Sequence, residues 1–216
     1  MATADIAATL NQATDKISPN LNGVGHWQGV TVVGGSKSAV NRSVHKYDLT
    51  DYAAATITAA ELRLDVQQIV GTSGFASELR RVLETFTAAV TWNKRDGSTS
   101  WVAGGPSAPE SATDTGKVTF NSPTATGVQA IVSGAGVLAL VQDAIASRSN
   151  LLWLVFQSVA ESVETSAIYG GGDAVLRITY TAASSIKKVS GVALASVKKV
   201  SGVAIASVKK VSGVTN

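Results

Sequence analysis

Chemistry at neutral pH needs groups that exchange protons, hold metals or attack carbon, and this chain is poor in them. It has no cysteine and two histidines, His26 and His45. Thiolate nucleophiles, disulfide frameworks and cysteine- or histidine-rich metal sites are therefore excluded. Neither histidine lies in a nucleophile motif, and no Gly-x-Ser-x-Gly elbow occurs. His45 falls in an alternating stretch beside Lys46, where a position on a strand face is the plainer reading. Carboxylates stand at Asp48, Asp51, Glu78, Glu84, Glu161 and Glu164. A pair of them would suit glycosidic hydrolysis, but nothing in their spacing singles out two. Gly134-Ala135-Gly136-Val137-Leu138-Ala139 fits a dinucleotide-loop pattern. No alternating strand–helix pattern surrounds it, and glycines leading into a helix explain it equally. No cofactor or metal is expected, and the chain does not read as an enzyme.

Binding chemistry is better represented. An indole face stacks on a sugar ring, and it also buries a large apolar area. Trp92, in Val90-Thr91-Trp92-Asn93, and Trp101 are candidates for either role; core and loop-anchor packing is the plainer one. Trp27, in Gly25-His26-Trp27-Gln28-Gly29, has a loop-like setting that would leave it more open to solvent. Trp153 lies in an apolar run and is expected in the core.

The elements that must carry these residues are strands. Residues 60–66 alternate, with Leu62, Leu64 and Val66 on one face and Glu61, Arg63 and Asp65 on the other. Residues 174–181 do the same, with Leu176, Ile178 and Tyr180 inward. Residues 30–33, 43–49, 79–86, 117–120 and 151–158 are further strand candidates, separated by Gly, Pro, Asn and Ser clusters. One helix is expected, because Val137, Leu138, Leu140, Val141 and Ile145 form an apolar stripe between Gly136 and Arg148. Long loops are expected at 93–116 and 122–128. Many short strands at this spacing indicate an all-β sandwich of jelly-roll type.

The C-terminus has a different character. Ile186-Lys187-Lys188-Val189-Ser190-Gly191-Val192-Ala193-Leu194-Ala195-Ser196 recurs as 197–207 with conservative changes, and 208–214 begins a third copy. Eleven is odd and side chains alternate along a strand, so one continuous strand would turn successive valine sets to opposite faces. The repeats must therefore turn, and Ser-Gly between valines suits a two-residue turn. The chain divides into a body, 1–183, and a repeat tail, 184–216. A ribbon this small needs cover for Ile186, Val189, Val192, Leu194, Val197, Val200, Val203, Ile205, Val208, Val211 and Val214. These are the expected assembly residues, and they would pair between chains or dock on a partner.

Charge follows the same division. Of the net +3, residues 186–216 contribute six lysines and no acid, whereas the rest carries 12 basic against 15 acidic groups. Basicity is a tail property, which argues against nucleic-acid binding by the body. The N-terminal residues have neither the basic start nor the apolar stretch of a secretion signal. No apolar run approaches the ~20 residues of a membrane span. Synthesis and folding in the cytoplasm are expected.

Several segments in order resemble the DNRLRE (disaggregatase-related) domain family. Val44-His45-Lys46-Tyr47-Asp48-Leu49 followed by Ile57-Thr58-Ala59-Ala60-Glu61-Leu62-Arg63-Leu64 is similar to its paired strands. Val90-Thr91-Trp92-Asn93 with Trp101, then Leu140-Val141-Gln142-Asp143 and Leu151-Leu152-Trp153-Leu154, resemble its later segments, and residues 174–180 its closing strand. The resemblance implies a jelly roll of the carbohydrate-binding-module kind. The Lys-Lys-Val-Ser-Gly-Val-Ala repeats resemble tails of bacteriophage structural proteins. Together these imply a non-enzymatic virion component, either a capsid decoration, a head fibre or a part of the tail. Its partners would be copies of itself, most simply a trimer, and other virion proteins. The alternative is a carbohydrate-binding module or adhesin using Trp27, Trp92 or Trp101 on a surface glycan.

Overall fold

A computed structural model describes residues 1–15, 26–33, 37–71, 73–101, 116–159, 165–169 and 174–183 of the body. In the tail it describes 188–189, 192–193, 199–200 and 203–204. The body strands are β1 (Ala2–Ala7), β2 (Leu10–Asp15), β3 (His26–Val33), β4 (Lys37–Asp48), β5 (Thr56–Gly71) and β6 (Ala76–Arg81). They continue as β7 (Lys117–Asn121), β8 (Gly127–Ser133), then helix α1 (Ala135–Ser147), β9 (Leu151–Ser158), β10 (Thr165–Tyr169) and β11 (Val175–Thr181).

Every pairing between these strands is antiparallel. One layer of the sandwich runs β1-β11-β5-β8, and the other runs β2-β4-β9-β6-β7. The two long strands join the layers by changing partners midway. β4 pairs with β9 over 43–48 and with β3 over 37–41. β5 pairs with β11 over 56–63 and with β10 over 66–71. The β10–β3 pairing then links the layers at one end.

The alternation of 60–66 does what the period-two rule requires. Leu62, Leu64 and Val66 are buried against Leu176 and Ile178 of β11. Tyr47, Leu79, Leu152, Leu154 and Phe156 of the other layer face them across the same core. β6 is shorter than the alternation suggested. It ends at Arg81, and 82–86 leaves the sheet.

Helix α1 supplies Val137, Leu140, Val141 and Ala144 to that core. Its start is set by Gly134, whose φ of 95° breaks β8. Its end is set by Ser149 and Asn150, both at positive φ, after which β9 begins. Gly136 has a separate role. A Cβ there would lie 2.8 Å from Val118 Cγ2 of β7. Alanine is the better helix former by about 1 kcal/mol, whereas overpacking a stiff valine costs about 1–3 kcal/mol. Gly136→Ala is therefore expected to lower the melting temperature by a few degrees, read by thermal unfolding. A gain in stability would show that Val118 moves aside freely.

Among the described residues no helix is long and apolar enough to cross a membrane.

The tail contains two small hairpins. β12 (Lys188–Val189) pairs with β13 (Val192–Ala193), and β14 (Lys199–Val200) with β15 (Val203–Ala204). Val189 is opposite Val192 and Val200 opposite Val203, while the turn expected at Ser190-Gly191 and Ser201-Gly202 falls on residues outside the described ones. Ile186, Leu194, Val197, Ile205 and the third repeat, which begins at Val208, lie outside the described residues.

Candidate functional site

Of the six carboxylates that could have done chemistry, Asp48, Glu78 and Glu84 are occupied structurally. Asp48 ends β4 and accepts hydrogen bonds from the Thr50 hydroxyl at 2.6 Å and the Thr50 N–H at 2.9 Å. These bonds favour the ionised form and hold its pKa below the ordinary carboxylate range. Glu78 is buried on β6, on the outer side of its layer. Its carboxylate takes the Arg80 Nε at 2.6 Å, the Gln157 Nε2 at 3.2 Å and the Lys117 ammonium at 3.5 Å. Glu84 faces Arg95 at 3.8 Å. Asp51 is exposed on the short turn after β4. Glu161 and Glu164 lie outside the described residues. No group of three or more metal-ligating side chains forms among the described residues.

His45 lies in strand β4, as expected, with its side chain on the face turned to the core. It is fully buried, with its ring 5.6 Å from that of Phe156 and stacked near Tyr47. Its Nδ1 is 3.4 Å from the Tyr47 hydroxyl, and burial pushes that phenol well above its usual range. The pair is core furniture, held in an apolar layer. The Gly134–Ala139 segment opens α1 after an antiparallel strand, so the parallel crossover that a dinucleotide loop requires is not built here.

Of the two roles open to Trp92 and Trp101, both take packing, the plainer one. Residues 82–101 fold back over the outer face of the β2-β4-β9-β6-β7 layer and bury a second apolar cluster. It comprises Val44, Val82, Phe86, Val90, Trp101 and Val155, with Leu10 and Trp153 at its margin. Trp101 is 5% exposed and Trp92 is 8% exposed. The Trp101 indole N–H donates to the Thr91 carbonyl at 3.1 Å, and its ring centroid is 6.1 Å from that of Phe86. The Arg42 guanidinium covers the Trp92 ring at 4.6 Å. Both indole faces are used internally, so these two residues do not offer a sugar platform. The physical reason is that an all-β layer with apolar residues on both faces needs a second cover. Trp153 is half-buried in this outer cluster rather than in the main core, with Phe86 edge-on at 4.6 Å and Lys46 over its ring at 4.8 Å. Trp27 lies in strand β3, not in a loop, paired opposite Ile168.

The opposite layer presents a polar outer face. Asp5 binds Arg177 through two bonds of 2.6 and 2.7 Å, Arg177 approaches Glu61 at 3.9 Å, and Glu61 takes Arg63 at 2.9 Å. The hydrogen bonds and charge of Arg177 lower the pKa of Asp5, and those of Asp5 raise the pKa of Arg177. Beside this row is a shallow depression of about 330 Å3 bordered by Thr3, Ala59, Ser133 and Thr179. Its charged groups neutralise one another, which leaves no carboxylate poised for acid–base work.

The signals for the outer cluster were in the sequence only as scattered residues. Phe86, Arg42 and Lys46 acquire their roles because 82–101 crosses the sheet, a long-range event with no local periodicity. No protein-family model matches this chain, and no curated protein matches it.

Proposed function

We propose that this chain is a non-enzymatic bacteriophage virion structural protein. Its jelly-roll body is displayed on the particle, as a capsid decoration, a head fibre or a tail component, and its C-terminal repeats mediate assembly. The observation that carries the reading is the tail. An eleven-residue unit repeats with near identity, and the two described copies adopt the same hairpin register. Such hairpins are too small to stand alone in water. A repeated unit without its own core is built for pairing with something else. The body supports the reading from the other side, since Asp48, Glu78, Glu84, Trp92 and Trp101 serve turns, ion pairs and packing. Partners are copies of this chain, most simply three, and neighbouring proteins of the particle. The carbohydrate-binding alternative retains Trp27 but loses Trp92 and Trp101, whose faces are covered.

The test is truncation after residue 183. The shortened chain is expected to keep the body's circular dichroism and melting transition. It is expected to drop from oligomer to monomer by light scattering and to lose at least about tenfold in incorporation into particles, as loss of multivalent contacts predicts. Equal mass and equal incorporation for the two chains would remove this role from the tail.

A further inference from the structure

We propose that each eleven-residue repeat is a separate docking unit, and that same-numbered repeats of neighbouring copies of this chain pair edge to edge. This rests on the assembly role given to the tail above and adds which repeat meets which. Lys188 is opposite Ala193 and Val189 opposite Val192; eleven residues on, Lys199 is opposite Ala204 and Val200 opposite Val203. The hairpins therefore close within their own repeats. They form two separate two-stranded sheets, and neither joins the eleven-stranded sheet of the body. A solenoid, with each repeat as one rung, would instead pair β12 with β14 in parallel.

Each hairpin thus has one internal ladder among the described residues and two outer edges, which are templates for a further strand. Within a chain, neither the next repeat nor the body provides that strand among the described residues. A second copy does. In a closed symmetric oligomer with its axis along the tail, symmetry sets the first repeats of all copies at one level and the second repeats at the next. Because the register is identical in the two hairpins, one edge-to-edge arrangement satisfies both. The near-identity of the repeats is then explained, since each level solves the same pairing problem. The lysine pair in every repeat keeps such edges from recruiting further chains.

The absence of cysteine makes the test clean. Full-length Lys188→Cys chains are co-assembled with Ala193→Cys chains, which places the two thiols in the same repeat. In a second mixture, Lys199→Cys chains are combined with Ala193→Cys chains, which offsets them by one repeat. In each mixture one of the two partners loses a single lysine, so charge is matched. Adjacent strands bring Cα atoms within disulfide range, whereas a one-repeat offset does not. After mild oxidation, mass-tagged chains should show several-fold more mixed disulfide in the same-repeat mixture. Equal yields, or more from the offset mixture, in an assembly of unchanged mass would overturn the pairing scheme and leave the assembly role standing. A monomeric mass for the unmodified full chain would overturn both.

Discussion

Trp101→Ala is expected to release residues 82–101 from the sheet while leaving the sandwich folded. The indole is 5% exposed, donates to the Thr91 carbonyl and packs against Phe86. Removing a buried tryptophan of this kind costs about 3–5 kcal/mol. The loss should fall on the outer cluster first, because none of its buried members belongs to the main core. Local opening is then promoted over global unfolding. Trypsin reports on this directly, since Lys94 and Arg95 sit inside the segment and are half-buried. A cost of ~4 kcal/mol corresponds to about a thousandfold faster cleavage where opening and closing are fast relative to cleavage. Unchanged cleavage would mean that the indole anchors nothing, and Trp101 would return as a candidate ligand platform.

Phe156→Ala is expected to strike the main core. Phe156 is 1% exposed in the middle of β9, between Ser43 of β4 and Leu79 of β6. Its ring meets Phe120 edge-on at 5.3 Å and His45 at 5.6 Å. The cavity should cost about 3–5 kcal/mol, a large share of the ~5–15 kcal/mol that holds a domain together. The melting temperature should fall by roughly 6–20 °C. Phe156→Leu should cost much less, because it keeps most of the volume. Leu83→Ala is the surface control. Leu83 is 48% exposed, and its loss should fall within about 0.5 kcal/mol. A Phe156→Ala effect no larger than that of Leu83→Ala would remove Phe156 from the core.

How much of this was legible in the sequence depended on how strongly each element was constrained by one face. β5, β11 and α1 are buried on one side and carry clean periodicity, and β9, buried on both faces, stands out as a short apolar run, so their positions could be read from residue types. β1 and β2 could not. Ala-Thr-Ala-Asp-Ile-Ala has small side chains and weak contrast, and it becomes a strand because β11 offers it an edge. β8 and β10 were missed for the same reason; β8 takes its register from β5 across a bulge. The tail was the opposite case, because exact repetition makes a turn at Ser-Gly visible without any tertiary knowledge. The tryptophans were ambiguous in sequence, since stacking on a ligand and packing under a loop demand the same side chain. Burial decided between them for Trp92 and Trp101.

The position of β11 has a mechanical consequence. It is laced to β1 on one edge and to β5 on the other, and the chain leaves for the tail just beyond Thr181. A load transmitted through a fixed tail would enter along the axis of β11, at right angles to both rows of backbone bonds. Those rows would be sheared as a block instead of peeling one bond at a time. The body is thus tethered by a strand from within its sheet, the attachment best suited to bearing tension.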